Sequence, residues 1–298
     1  MFKKIIVPLD GSEIAEAILP FVEEIARHTG AEIVLVTAVQ QVGVWDAALT
    51  LQVLDREDAS AVAYLGEQAK KLAGKQRSCV VRGDPAEAIL RAAGEESADL
   101  IAISTHGRSG LARWLFGSTA TKLLEAATLP VLFLRPKTGE DKGAPGPVVR
   151  KILVPLDGSD TAMSILHTVE EFARVMGASL VLFHSVMPIA AYPGFETQSS
   201  AAATVLDEMQ AQARQILTRA MEDAKSRGVE ATMVVALDTA VNGILRAADD
   251  QKVDLIAIGT HGRGGIGRAV LGSVADGVVR RSADVPCLVI RATEGAAT

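Results

Sequence analysis

Two glycine-rich stretches of the chain carry residues whose types and spacing suit phosphate binding. They read "IAISTHGRSGLARWLFGS" (101–118) and "IAIGTHGRGGIGRAVLGS" (256–273), and each starts as an apolar run and ends in Gly-Ser. Glycine at the end of a strand lets a ligand approach the backbone closely. Gly-Ser at the start of a helix presents free N–H groups and a hydroxyl to an anion. We therefore expect two clusters of donors that grip a polyphosphate from two sides.

Two other phosphate-binding loops fit the second stretch less well. A Walker loop requires G-x-x-x-x-G-K-[ST], and no lysine follows Lys252. The segment "GRGGIG" (262–267) matches the dinucleotide pattern G-x-G-x-x-G, but its counterpart "GRSGLA" (107–112) keeps only one of the three glycines. No acidic residue follows at the distance that a dinucleotide site requires. The glycine pattern that both stretches share is G/S-x-x-G-x9-G-S, with Thr-His-Gly-Arg across its second glycine.

The stretches belong to the two halves of a duplicated chain of 298 residues. "KKIIVPLDGSE" (3–13) recurs 147 residues later as "RKILVPLDGSD" (150–160), whereas the glycine-rich stretches lie 155 residues apart. The second repeat therefore has the longer central segment. Between the repeats, "PKTGEDKGAPGP" (136–147) has the proline, glycine and charge of a linker. The predicted boundaries are domain 1 at 1–138, the linker at 139–148 and domain 2 at 149–298.

Strand and helix patterns alternate in each repeat. Ser12 is a suitable N-cap and Gly30 a suitable stop for a first helix, and Asp84 with Pro85 suits the start of the helix after the third strand. Near-continuous Ile, Val and Leu strands joined by crossover helices indicate a parallel sheet covered on both faces. Right-handed crossovers then give an open, doubly wound α/β fold. The predicted strands lie near 3–9, 32–39, 77–81, 99–104 and 130–135, and near 151–156, 179–186, 231–236, 254–259 and 286–291.

Composition and charge exclude several classes of partner. The formal net charge of −6 opposes nonspecific attraction to nucleic acid or to anionic membranes. Cys79 and Cys287 lie in apolar runs without C-x-x-C spacing, which favours a reducing compartment. The apolar run before Pro8 is too short for a signal peptide, and no apolar segment is long enough to span a membrane. We expect a soluble, cytoplasmic protein.

The shared pattern G-x-x-G-x9-G-[ST], with "VPLDGS" early in each repeat, resembles the universal stress protein family in its tandem, ATP-binding form. The resemblance extends over essentially the whole chain. It implies a five-stranded parallel sheet of order 3-2-1-4-5 in each repeat, with helices on both faces, like the folds of adenine-nucleotide α-hydrolases. It also implies ATP (or ADP or AMP) at the carboxyl ends of the strands, with Mg²⁺ on the phosphates and no metal ligand from protein side chains.

The resemblance also implies which residues contact the nucleotide. In the second repeat, Asp157 would contact the adenosine part, Ser185 and Val186 would lie beside the adenine, and the glycine-rich stretch would hold the phosphates and ribose. The predicted set there is Pro155, Leu156, Asp157, Ser185, Val186, Ile258, Gly259, His261, Gly262, Arg263, Gly272, Ser273, Val274 and Ala275. The predicted set in the first repeat is Pro8, Leu9, Asp10, Ala38, Val39, Ile103, Ser104, His106, Gly107, Arg108, Gly117, Ser118, Thr119 and Ala120.

The first repeat departs from the family pattern at Ser104, which replaces the first glycine. Its Cβ is expected to crowd the nucleotide, so we predict that the second repeat has the better site. The second repeat departs at "VALDTAVNGI" (235–244), which lacks the counterparts of Gly83 and Pro85. We expect that change to alter the start of the following helix more than nucleotide binding.

Simpler interpretations stand beside several of these roles. Asp10 and Asp157 are also suited to ordering a "DGS" turn or capping the first helix. The histidine of each glycine-rich stretch has no partnered nucleophile nearby in sequence, so a role in positioning the loop is favoured over catalysis. Arg108 and Arg263 either pair with phosphate or are solvated.

Three functions are consistent with these patterns. The first is a nucleotide-dependent regulatory module of the stress response with little or no catalysis. The second is a slow ATPase or a nucleotidyl-transfer enzyme. The third is an interaction scaffold that holds nucleotide only in its second repeat. The resemblance further implies an intrachain pseudo-dimer through 130–135 against 286–291, and we expect a homodimer of chains with an unidentified downstream protein partner.

Overall fold

The chain forms two compact units, one for each repeat. The computed structural model describes residues 1–40, 47–105, 117–136, 148–188, 200–260, 272–282 and 285–291, without the side chains of 47–54, 200 and 201. Phe2–Val148 form one unit, and Val149–Thr298 with Met1 form the other. Of the predicted linker, only Val148 is among the described residues. Within the described part of the chain, no helix has the length and apolar character needed to cross a membrane.

The first unit is a parallel sheet with its strands in the order β3-β2-β1-β4-β5, as predicted. Its strands are β1 (Lys4–Pro8), β2 (Glu32–Val39), β3 (Gln76–Arg82), β4 (Leu100–Ser104) and β5 (Val131–Leu134). Its helices are α1 (Glu13–Glu16), α2 (Leu19–Thr29), α3 (Ala47–Lys71), α4 (Pro85–Glu95) and α5 (Ser118–Ala126). The inner strands β1, β2 and β4 are mostly aliphatic because helices cover both faces of a doubly wound sheet, whereas the edge strand β3 is largely polar and more exposed.

The second unit repeats this order as β8-β7-β6-β9-β10, again with every pair parallel. Its strands are β6 (Lys151–Pro155), β7 (Ser179–Val186), β8 (Ala231–Leu237), β9 (Leu255–Gly259) and β10 (Cys287–Ile290). Its helices are α6 (Asp160–Met176), α7 (Ser200–Ser226), α8 (Ala240–Asp250) and α9 (Ser273–Arg281). The predicted fold class is therefore confirmed in both repeats.

The prediction of one continuous helix between Ser12 and Gly30 is wrong. Two helices, α1 and α2, occupy this segment, and the second has Pro20 in its first turn. Proline has no N–H to bond the carbonyl four residues earlier, so it interrupts the helix. The second repeat has His167 at the equivalent position, and α6 runs unbroken over 17 residues. The predicted ends are correct, since Ser12 caps α1 and Gly30 ends α2 in the left-handed conformation, with φ of 71°.

The two cores fill the same space with different residues. In the second unit, the fully buried ring of Phe183 on β7 packs against Gly243 on α8, and a Cβ at Gly243 would lie 3.0 Å from Phe183 Cζ. The equivalent residues of the first unit are Val36 and Ala88, both fully buried. The larger ring in one repeat is thus accommodated by removal of a methyl group from the facing helix.

A second exchange of this kind joins α8 to α9. A Cβ at Gly277 on α9 would lie 2.9 Å from Val241 Cγ2 on α8. The first unit has Ala86 and Lys122 at these positions, and the Lys122 ammonium lies 2.7 Å from the carboxylate of Asp84. The position of α9 is therefore set by close apolar packing, whereas α5 is joined to α4 by an ion pair.

Candidate functional site

The strand order creates a crevice at the carboxyl ends of two neighbouring strands in each unit. β1 pairs with β2 on one side and with β4 on the other, so the chain leaves β1 and β4 in opposite directions across the sheet. Right-handed connections then place the following helices on opposite faces. Ligands of doubly wound folds bind where the order reverses in this way. The turn after β1 and the end of β4 meet here, as do the turn after β6 and the end of β9.

The aspartate after the first strand of each repeat organises a turn. Asp10 Oδ1 accepts hydrogen bonds from the backbone N–H of Ser12 at 3.0 Å and from its hydroxyl at 2.6 Å. The Ser12 hydroxyl oxygen in turn accepts from the N–H of Ala15 and caps α1. Asp157 and Ser159 repeat the relay before α6 with the same distances. The turn-ordering interpretation of these aspartates is confirmed, and it fixes both carboxylates beside the crevice.

A polar network holds this turn only in the first unit. The Glu16 carboxylate on α1 accepts a hydrogen bond from the Tyr64 hydroxyl at 3.0 Å and one from the Gln68 amide at 2.8 Å. Burial, followed by the hydrogen bond to Glu16, raises the pKa of Tyr64 well above its usual value. The equivalent residues of the second repeat are Met163 and Arg219, which cannot form this pair. Local sequence patterns do not reveal this network, because Tyr64 and Gln68 lie 48 and 52 residues from Glu16.

In the second unit, the end of β9 is tied to the start of α9. The carbonyl of Thr260, directly after Gly259, accepts a hydrogen bond of 2.6 Å from the N–H of Gly272. Gly272 is the N-cap of α9, and Ser273 is its first residue. The two predicted donor clusters therefore meet at one point of the crevice. His261, Gly262 and Arg263 of the predicted site lie outside the described residues.

In the first unit, the corresponding strand ends in a buried hydroxyl. Ser104 is the last residue of β4, and its buried Oγ has no hydrogen-bond partner among the residues that the structure describes. The N–H of the next residue, Thr105, bonds to the carbonyl of Leu134. Gly117 is the N-cap of α5, which begins at Ser118. His106, Gly107 and Arg108 lie outside the described residues.

The far wall of the crevice, formed at the ends of β2 and β7 by the residues that follow β3 and β8, differs between the repeats. The carbonyl of Val39, at the end of β2, accepts the N–H of Gly83, whereas that of Val186 accepts the N–H of Asp238. The Ser185 hydroxyl donates to the carbonyl of Asp238 at 2.6 Å. The second repeat thus carries a carboxylate where the first has glycine, and Arg246 Nη2 lies 3.1 Å from it.

The next helices along the chain, α4 and α8, also differ in how their first turns are capped. Asp84 caps α4 by accepting the N–H groups of Ala86 and Glu87 at 3.1 and 3.4 Å. Thr239 stands at the N-cap of α8, but its side chain makes no capping hydrogen bond. The predicted change in helix start is confirmed.

Several predicted site residues are core residues that can offer a ligand only their backbone. Their apolar side chains are buried, so their role in the crevice is to fix the backbone around it. They are Leu9, Ile103, Ala120, Leu156, Ile258 and Ala275. Among the described residues, no group of three or more His, Cys, Asp or Glu side chains is arranged to hold a metal ion.

Comparison with known proteins agrees with this architecture. Residues 1–135 and 149–291 both match the universal stress protein family. The chain belongs to this family. A universal stress protein of Mycolicibacterium smegmatis is 26% identical over 297 residues, which cover 96% of each chain. One from Mycobacterium tuberculosis is also 26% identical, over 84% of this chain and 79% of its own.

Solved structures of universal stress proteins share the fold over nearly the full length. The crystal structure of one from Archaeoglobus fulgidus superposes with a TM-score of 0.71 at 20% identity, covering 97% of this chain and 98% of the other. A putative universal stress protein from Pseudomonas aeruginosa gives 0.65 at 19% identity, covering 97% and 93%. These likenesses establish the tandem fold of this universal stress protein.

Proposed function

We propose that this universal stress protein binds ATP, or another adenine nucleotide, in the crevice of each repeat and acts as a nucleotide-dependent regulatory module with little or no catalysis. The hydrogen bond from the Gly272 N–H to the Thr260 carbonyl carries the proposal. It brings the N-terminus of α9 to the end of β9, at the place where a doubly wound sheet binds its ligands.

The chemistry of the crevice suits the two ends of a nucleotide. The N-terminus of α9 offers N–H groups and a partial positive charge to phosphate, and the Ser273 hydroxyl lies in its first turn. The carboxylate of Asp157, held by Ser159, is an acceptor suited to a ribose hydroxyl. Mg²⁺ would be held by the phosphates, because Mg²⁺ in nucleotide sites is bound largely by phosphate oxygens and water.

The proposal assigns little catalysis partly because Ser12 and Ser159, the serines that follow the two crevice aspartates, are engaged as caps. The Ser12 hydroxyl donates its proton to Asp10, and its oxygen accepts the N–H of Ala15. Ser159 does the same in the second repeat. A hydroxyl that both donates and accepts a hydrogen bond is not available as a nucleophile. Activation of a nucleophile requires an adjacent base and a free line of attack. A slow ATPase is the alternative that the assay below must exclude.

Isothermal titration of nucleotide-free protein with Mg-ATP tests the proposal. We expect binding at one or two sites per chain, and the absence of binding at millimolar ATP would refute it. The double variant Gly272→Val, Ser273→Ala should lose the second-repeat site. Gly66→Ala, on α3 with no atom within 4 Å of the added Cβ, is the matched control.

The same protein samples separate the regulatory function from the enzymatic one. Phosphate release that disappears when Gly272→Val and Ser273→Ala are combined with the equivalent Gly117→Val and Ser118→Ala would establish a true ATPase, whereas release that survives all four changes would come from a contaminant. Mass spectrometry of nucleotide carried through purification identifies the ligand among ATP, ADP, AMP and cyclic nucleotides.

We also propose that β5 and β10, the last strands of the two units, pair within the chain as a pseudo-dimer. Their sequences, VLFL and CLVI, are wholly apolar, and such a strand without charge or proline is a poor solvent-exposed edge. Cysteine pairs introduced along the two strands should crosslink in at least one register. Failure at every register would argue against the pairing.

A further inference from the structure

The turn that carries Asp10 opens a much shorter helix than its counterpart in the second repeat. α1 has only four residues, because Pro20 has no N–H to donate to the carbonyl of Glu16. The hydrogen bonds that open α2 start instead at Ile18, whose carbonyl accepts the first two N–H groups after the proline. In the second repeat the same turn opens α6, a helix of 17 residues. The first turn therefore lacks the support that a long helix gives to the second.

Side chains of α3 give the first turn a different support. The Tyr64 hydroxyl and the Gln68 amide both donate to the Glu16 carboxylate, at 3.0 and 2.8 Å, and so tie α1 to α3. Gln68 is buried, which strengthens its hydrogen bond by excluding water. Burial and the bond to Glu16 raise the pKa of Tyr64, whereas a hydrogen bond from the backbone N–H of Gly11, inside the Asp10 turn, lowers it. Tyr64 therefore contacts both the turn and the helix that follows it.

The second repeat has neither the break in the helix nor the network. The residues that replace Pro20, Glu16 and Tyr64 there are His167, Met163 and Arg219. Histidine keeps the backbone N–H that proline lacks, and the thioether of methionine is only a weak acceptor. The broken helix and the polar network thus occur together in one repeat, and the network compensates for the break.

We propose that Tyr64, acting through Gly11 and the Glu16 carboxylate, positions Asp10 against the ribose of the nucleotide bound in the first repeat. Asp10 is exposed and lies two residues after the end of β1, at the carboxyl edge of the sheet where the crevice lies. Tyr64 is a positioning residue that does not itself touch the ligand. The inference rests on the proposed nucleotide-binding function. It adds that the two sites depend on different parts of the fold, the first on α3 and the second on the length of α6.

The preference for ATP over dideoxy-ATP, which lacks both ribose hydroxyls, measures whether the aspartate is in position. A carboxylate held at the ribose distinguishes the two ligands by its hydrogen bonds to the hydroxyls, whereas a general loss of stability changes both affinities alike. The titrations use the full chain carrying Gly272→Val and Ser273→Ala, so that only the first-repeat site is measured. Tyr64→Phe should reduce the preference about three- to tenfold, with unchanged affinity for dideoxy-ATP and unchanged far-UV circular dichroism.

Substitutions of two glutamates separate positioning from a purely structural role. Glu16→Met, which copies the second repeat, should reduce the preference as Tyr64→Phe does. Glu16→Gln should retain it, because an amide oxygen still accepts both hydrogen bonds. Glu67→Met is the matched control on α3, since it removes an exposed bond of 2.6 Å to Lys70 that does not involve α1. An unchanged preference in Tyr64→Phe, or an equal loss of affinity for both ligands, would overturn the inference.

Restoring the helix gives a second readout. In a Pro20→His background, where α1 and α2 can join as in the second repeat, Tyr64→Phe should reduce the preference by at most about half as much on a logarithmic scale. Equal reductions in both backgrounds would contradict the compensation by the network. A wild-type chain that binds ATP only in its second repeat would refute the role of Tyr64 and leave the proposed function standing. A wild-type chain that binds no ATP would refute the proposed function itself.

Discussion

Replacing Glu170 with glutamine should make the protein more stable than the wild type at pH 8, although it removes an ion pair. Glu170 lies on α6 with a fully buried side chain, and Arg227 Nε is 2.9 Å from its Oε2. Burial, and then the charge of Asp223, raise the pKa of Glu170 to about 7, while Arg227 lowers it. The cost of burying the carboxylate therefore exceeds the attraction of the guanidinium.

The sign of the effect follows from the proton that the folded state retains. The ordinary pKa of 4.5 applies in the unfolded chain, so between pH 4.5 and about 7 the folded state binds a proton that the unfolded state has lost. Stability from this group is present at low pH and is lost as the pH rises toward 7. At about 1.4 kcal/mol for each pH unit between 4.5 and about 7, the loss at pH 8 is at most about 3.5 kcal/mol. Glutamine stays neutral and does not incur it.

Native-state hydrogen exchange of α6, followed by mass spectrometry in urea from pH 5 to pH 8, measures the second unit separately. The advantage of Glu170→Gln should grow from near zero at pH 5 to about 1–3 kcal/mol at pH 8. The matched control is Glu23→Gln at the equivalent position, where a less buried carboxylate accepts the N–H of Ala73 at 2.8 Å. In the hydrogen exchange of α2, which contains Glu23, that variant should show a slight loss of stability and none of the gain toward pH 8. A Glu170→Gln protein less stable by the same amount at every pH would refute the reasoning.

Two further predictions concern packing and capping. Gly243→Ala should destabilise the second unit by about 1 kcal/mol in urea unfolding, because overpacking against Phe183 outweighs the gain in helix propensity. Gly66→Ala, in open space, should instead increase the free energy of unfolding by up to about 1 kcal/mol. If both alanine substitutions stabilise the protein, the Phe183 ring moves to make room for the added methyl group. Asp84→Ala should cost about 1 kcal/mol through loss of its cap. Thr239→Ala should cost far less, since its side chain caps nothing, and equal losses in hydrogen exchange of α4 and α8 would contradict this.

The strands and the parallel, doubly wound sheet could be predicted because their signals are local and occur twice. The strand order 3-2-1-4-5 came from the resemblance to the family and not from these local signals. The break between α1 and α2 was also present in the sequence as Pro20, but the apolar helical spacing continued through it. The spacing predicts one helix, whereas the missing N–H of the proline divides the segment into two.

The details of the site depend on contacts between distant segments, which periodicity does not reveal. The 2.6 Å bond from Gly272 to Thr260 and the bond from Ser185 to Asp238 join residues on different loops. The state of Ser104 was likewise hidden. A serine in place of glycine suggests crowding in a sequence, and only the arrangement around it reveals a buried hydroxyl without a partner among the described residues.

The paired exchange of Val36 and Ala88 for Phe183 and Gly243 limits how the two halves of the gene can recombine. A crossover between the halves would join phenylalanine to alanine, which overfills the core, or valine to glycine, which leaves a cavity. Both outcomes cost stability, so a half assembled from pieces of both repeats should be less stable than either repeat as it stands.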